Sequence, residues 1–147
     1  MDFVEKFKER VGTLRGFLNT MNFKGCANLS TDLLRASEFA NYPEGIFIGE
    51  FFESLFTNIR TLMLRFDVEK KDIEKILTAT IPVIEYAQTN IPFSSEDKKA
   101  KLYDLMLNAR CIVTETQIAY YREKTSKKPP MPMSFPPSIN IESSEEE

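Results

Sequence analysis

The chain has no histidine and no tryptophan, and only two cysteines and five glycines among its 147 residues. Each shortage excludes something. Without an imidazole there is no His general base, no Ser–His or Cys–His nucleophile and no Glu-x-x-His di-iron motif. Most zinc sites lose their usual ligands as well. Two thiols cannot form a disulfide framework, which fits a reducing compartment. The glycines never gather into a phosphate-cradling run, so no P-loop or dinucleotide fingerprint is present. Apolar runs extend only a few residues, far below the ~20 a bilayer crossing needs. The first ten residues, MDFVEKFKER, are charged from the second position, so no signal peptide is expected. These absences together predict a soluble, cytoplasmic protein without a membrane partner.

The composition that remains is ordinary for a folded chain, with 42% hydrophobic and 28% charged residues. At this length a single domain buries about 68–70% of its unfolded surface. Strand-like alternation is missing, whereas helical periodicity recurs throughout. Phe7, Val11, Leu14, Leu18 and Met21 draw a narrow seam down a first helix over Asp2 to Phe23, with Gly25 as its stop. A second helix is expected from about Asn28 to Asn41, capped by Asn28, Ser30 or Thr31 and turning Leu29, Leu33, Ala36 and Ala40 inward. Asn41 then caps a third helix with Pro43 in its first turn. That helix, about Glu44 to Phe66, carries the strongest pattern: Ile48, Phe51, Phe52, Leu55, Phe56, Ile59, Leu62, Met63 and Phe66. Asp67 is the expected cap of a fourth helix reaching Asn90, which Pro82 should kink or split. Ser94 or Ser95 caps a fifth, with Leu102, Leu105, Met106, Ala109, Ile112, Val113, Thr116 and Ala119 inward, ending near Lys124. The expected fold is all-α: a single bundle of about five helices over residues 1–124, followed over 125–147 by an extended, proline-rich, acidic tail.

Few residues suggest chemistry. Glu50, Glu53, Glu85, Asp104 and Glu115 allow a carboxylate cage to be imagined, but a solvated helix face is the better reading, so no metal and no cofactor are expected. Ser95-Glu-Asp-Lys98 matches a Ser-x-x-Lys pattern without its companion motifs, and Ser95 stands where a helix cap belongs. Cys26 and Cys111 read as free thiols used as small hydrophobes. Gly12-x-x-x-Gly16 permits close helix approach, but lies on a charged segment. No catalytic residue is expected.

Charge is informative by segment. Residues 1–121 carry a net −2, residues 122–128 a net +3 and residues 138–147 a net −4. A body without basic excess argues against strong direct nucleic-acid binding. The tail packs five of the eight prolines into residues 129–137 and spaces Met131, Met133, Phe135 and Ile139 through and just past them. Proline pre-extends the chain and lowers the ordering cost of docking, so these four are expected to fill a partner's pockets. Glu142, Glu145, Glu146 and Glu147 would present charge to a basic surface.

The layout of a small helical body with an acidic C-terminus resembles accessory subunits of archaeal-type DNA polymerase holoenzymes. The resemblance implies binding to the polymerase, with Glu142 and Glu145 to Glu147 modulating DNA contacts. The function expected from the sequence is therefore a non-catalytic helical adaptor that binds protein partners, with a nucleic-acid-processing enzyme among them. Two alternatives stay open. One is a small-molecule-binding or enzymatic bundle with a pocket beside Pro82 and the Phe-rich third helix. The other is a homodimer built on the first-helix seam.

Overall fold

The computed structural model describes residues 2–127. Among them the protein is all-α, with α1 (Phe3–Asn19), α2 (Phe23–Phe39), α3 (Pro43–Arg65), α4 (Lys70–Asn90) and α5 (Glu96–Lys127). Two compact units divide the chain, the first Met1–Gln117 and the second beginning at Ile118. The second contributes the last turns of α5, on which Ile118 and Tyr121 are exposed.

Local chemistry sets the helix starts. Asp2 opens α1 through a capping box: its carboxylate accepts from the Glu5 N–H at 2.9 Å while the Glu5 side chain accepts from the Asp2 N–H at 3.3 Å. The helix α2 begins earlier than expected. Asn22 is its cap and accepts from the Gly25 N–H at 2.9 Å, so Gly25 lies in the first turn instead of stopping α1. Asn41 does not cap α3; it takes a left-handed φ of 55°, and Tyr42 precedes the helix with Pro43 in its first turn. Likewise Asp67 stands before α4 in an extended link, and Glu69 is the cap residue. Ser95 does cap α5, its hydroxyl accepting from the Lys98 N–H at 3.2 Å.

Pro82 does not split α4, which is helical without interruption from Lys70 to Asn90. One missing hydrogen bond is offset by burial of the flanking turns, where Ala79, Thr80, Val83, Ile84 and Ala87 are all buried.

The core is centred on α3, whose Ile48, Phe51, Phe52, Leu55, Phe56, Ile59 and Leu62 are buried as the periodicity predicts. Phe52 stacks on Phe56 with centroids 5.7 Å apart and meets Phe51 edge-on at 5.5 Å. The seam residues on α1, Phe7, Val11, Leu14 and Leu18, are enclosed within the fold, whereas Met21 lies past the helix end with a left-handed φ of 56° and is exposed. A homodimer on that seam therefore has no surface to use.

The most extensive backbone contact between helices joins α2 and α3. Glycine makes the approach on the α3 side: Gly45 stands against Ser37 of α2 and Gly49 against Leu34. A Cβ at Gly49 would lie 2.8 Å from the Leu34 Cα and 2.9 Å from its amide nitrogen. Only glycine permits so close an approach. This displaces the expected inward face of α2: Leu33 is buried, but Ala40 is exposed and Leu29 and Ala36 are half-buried. The α1 helix packs on α2 and α4. The helix α5 joins the core through Leu102, Met106, Ala109 and Val113.

Candidate functional site

The residues read as chemical candidates do not converge. Glu53 accepts a 2.6 Å hydrogen bond from Thr31, and Glu85 pairs with Arg15 at 3.3 Å. Among the described residues no group of three His, Cys, Asp or Glu side chains is placed to hold a metal ion. Gly12 and Gly16 play no part in helix–helix approach of the Gly49 kind: Gly12 faces the Gln88 side chain and Gly16 faces open space. Glu44 serves a structural end, its carboxylate accepting from the Tyr42 hydroxyl at 3.1 Å and from the Phe93 N–H at 3.3 Å. Burial and this neighbouring carboxylate push the Tyr42 phenol well above its ordinary range.

Both cysteines are free, Cys26 buried and Cys111 exposed. Burial raises the Cys26 thiol from 9.0 to about 12, the opposite of what a nucleophile needs. In the native protein one thiol per chain is expected to react rapidly with a thiol reagent, and the second only on unfolding. The sign of the alkaline effect follows. Above pH 9 the unfolded thiol ionises while the folded one stays protonated, so stability falls between pH 9 and about 12. Tyr42 adds to the loss above pH 10 for the same reason. Cys26→Ala is expected to flatten the fall that begins near pH 9, read from urea midpoints against pH.

What the structure does assemble is an apolar groove between the first half of α3 and the first half of α5. One hollow, about 340 Å³, is lined by Phe47, Glu50, Phe51, Tyr103, Met106, Leu107 and Arg110. A second, about 410 Å³, takes in Tyr42, Pro43, Glu44, Phe93, Lys99 and Leu102 and shares Phe47 and Tyr103 with the first. The shared pair stands between them, ring centroids 5.1 Å apart and edge to face. Volumes of this order suit a peptide side chain or a small ligand.

The groove is open and greasy where a solvated surface would be polar. Phe47 is 45% exposed, Tyr103 49% and Leu107 62%. Phe39 and Leu64 are exposed as well, but Phe47, Tyr103 and Leu107 are exposed around one hollow. The floor, Phe51 and Met106, is buried. Its rim is fixed: the Arg110 guanidinium lies 5.2 Å from the Phe51 ring centroid and donates to the Ser54 hydroxyl at 3.4 Å.

Periodicity had pointed away from this face. Phe47 lies beside the buried Ile48, and Leu107 beside the buried Met106, one step off each helix's inward stripe. The available signal was an apolar residue on the wet side of both helices. A separate shallow hollow beside Pro82 is lined by Glu85, Tyr86, Thr89, Asn90, Lys101 and Leu105, with no residue of α3. Pro82 and the Phe-rich helix thus do not meet in this hollow. The tail residues Met131, Met133, Phe135, Ile139, Glu142 and Glu145 to Glu147 lie outside the described residues.

No family model, no curated protein and no solved structure matches the chain.

Proposed function

We propose that the protein is a non-catalytic helical adaptor, an accessory subunit that docks a partner protein in the α3–α5 groove within an intracellular assembly. One observation carries this reading: Phe47, Tyr103 and Leu107 are exposed together around a groove whose floor is apolar and whose rim arginine is anchored. Apolar area of this kind is offset in a monomer by nothing but water, and a partner's side chains recover about 25 cal/mol for each Å² they cover. The acidic tail and small helical body favour a nucleic-acid-processing machine, such as a DNA replication complex, as the assembly. In that setting the groove holds the partner and Glu142 and Glu145 to Glu147 tune contacts with its basic surface.

The alternative, a small-molecule-binding bundle, would use the same hollows. It predicts that a metabolite-sized ligand raises the melting temperature and that Leu107→Glu removes the rise. The adaptor reading predicts instead that Leu107→Glu abolishes capture of a stoichiometric protein from nuclease-treated native lysate. Because Leu107 is largely exposed, the substitution is expected to leave stability within about 0.5 kcal/mol of wild type. A chain stopped at Thr125 separates groove from tail: retention of the partner by the stopped chain assigns binding to the groove.

A further inference from the structure

The groove has a repeat, and the same chain carries a segment with a matching one. On α5, Lys99, Tyr103 and Leu107 succeed one another by one turn, and on α3 Phe47 precedes Phe51 likewise. Four helical residues rise about 6 Å, so the two hollows repeat at that interval. An extended chain advances ~6.6 Å every two residues and sends alternate side chains to one side. Met131, Met133 and Phe135 follow one another at steps of two, separated by Pro132 and Ser134. Pro132 and Pro136 bias the residues before them, Met131 and Phe135, to extended backbone. Methionine adapts to irregular hollows and gains from sulfur–aromatic contact, which the rings of Phe47, Phe51 and Tyr103 offer.

Resting on the reading of the groove as a docking site, we propose that until its partner protein docks the groove is occupied by the Met131–Phe135 segment of a second copy of this chain. The second copy follows from chain length. Three residues, Lys128 to Pro130, join the segment to the last turn of α5, whereas the groove uses the first half of that helix. A leash this short ties the segment to the end of its own α5 and leaves it free to reach another molecule's groove. The segment is trailed by Glu142 and Glu145 to Glu147, and the two hollows carry Lys99 and Arg110 on their linings, so opposite charge favours the approach.

The test uses the full chain. Because the protein has no tryptophan, Phe135→Trp supplies a single fluorescent reporter at the proposed anchor. The emission maximum is expected to lie at short wavelength in concentrated solution and to move to the water-exposed position on dilution. Adding Leu107→Glu to the reporter chain removes its own competent groove, and the emission should then stay water-like at every concentration. Excess unlabelled wild type should restore the short-wavelength emission to this double variant, with at least ~10-fold weaker restoration by unlabelled Leu107→Glu. Raising salt should weaken the restoration. Emission that is water-like under all conditions overturns the proposal. So does a short-wavelength maximum indifferent to dilution and to mixing, which would place the occupant within the same chain. Neither result touches the adaptor reading, which is decided by partner capture on Leu107→Glu and would survive an empty seat.

Discussion

Replacing Phe52 with alanine is expected to lower stability by about 3–5 kcal/mol, the range for truncating a wholly buried ring. Phe52 is fully buried, stacks on Phe56 at 5.7 Å and meets Phe51 edge-on. Alanine removes the ring from water-free surroundings and leaves a cavity that the rigid α3 backbone cannot close. At this chain length the loss corresponds to at least ~10 °C in Tm. Phe39→Ala is the matched control: the ring is 96% exposed, and no change beyond about 0.5 kcal/mol is expected. Circular dichroism melts of the two variants decide the point. Similar Tm values would mean that the aromatic stack on α3 is not the centre of the core.

The second large effect belongs to a residue with no side chain. Gly49→Ala is expected to cost about 1–3 kcal/mol although alanine is the better helix former. The new Cβ would stand 2.8 Å from the Leu34 Cα, and backbone atoms cannot swing aside as a side chain tip can. The helices α2 and α3 must separate, and the small faces that meet there lose their contact. Gly16→Ala supplies the opposite sign. Its Cβ meets nothing within 4 Å, so the substitution removes only unfolded-state freedom and should stabilise by about 0.5–1 kcal/mol. Chemical denaturation of the pair reads both effects at once. If the two glycines respond alike, the close approach of α2 and α3 is not a constraint on this fold.

These two results mark where the fold could and could not be read in the residues. The α3 stripe was legible because Phe52, Phe56 and their neighbours repeat at 3.6 residues, and a strongly apolar helix face has one way to be buried. The α1 seam was legible for the same reason from Phe7 to Leu18, but not at Met21, where the chain has already left the helix for the turn. The α2 face was not. Its contact with α3 sets Ser37 against Gly45, Leu34 against Gly49 and Thr31 against Glu53, and hydrophobic periodicity does not register a glycine or a hydroxyl as a contact. Helix starts failed where one residue type serves two ends. Gly25 reads as a stop, yet its N–H is the donor that Asn22 caps, and Asn41 reads as a cap, yet it is the left-handed residue of the turn.

The groove was missed for a related reason. Patterning marks the core face alone, and Phe47 and Leu107 each lie one residue off it, beside the buried Ile48 and Met106. Which residues line a shared hollow depends on how α3 and α5 are placed side by side, and one-dimensional spacing carries no record of that. The chemical exclusions, by contrast, came from the residues alone, because a chain without histidine lacks imidazole chemistry whatever its fold.

The central claim, that the α3–α5 groove is where a protein partner docks, is tested most directly by one comparison. Tagged wild-type chain and Leu107→Glu are used to recover proteins from nuclease-treated native lysate, and the stoichiometry of each recovered protein is measured. A partner near one-to-one with the wild type and absent from Leu107→Glu is expected, with unchanged melts for the two baits. Equal recovery by both chains, or a stoichiometric partner with neither, would contradict it.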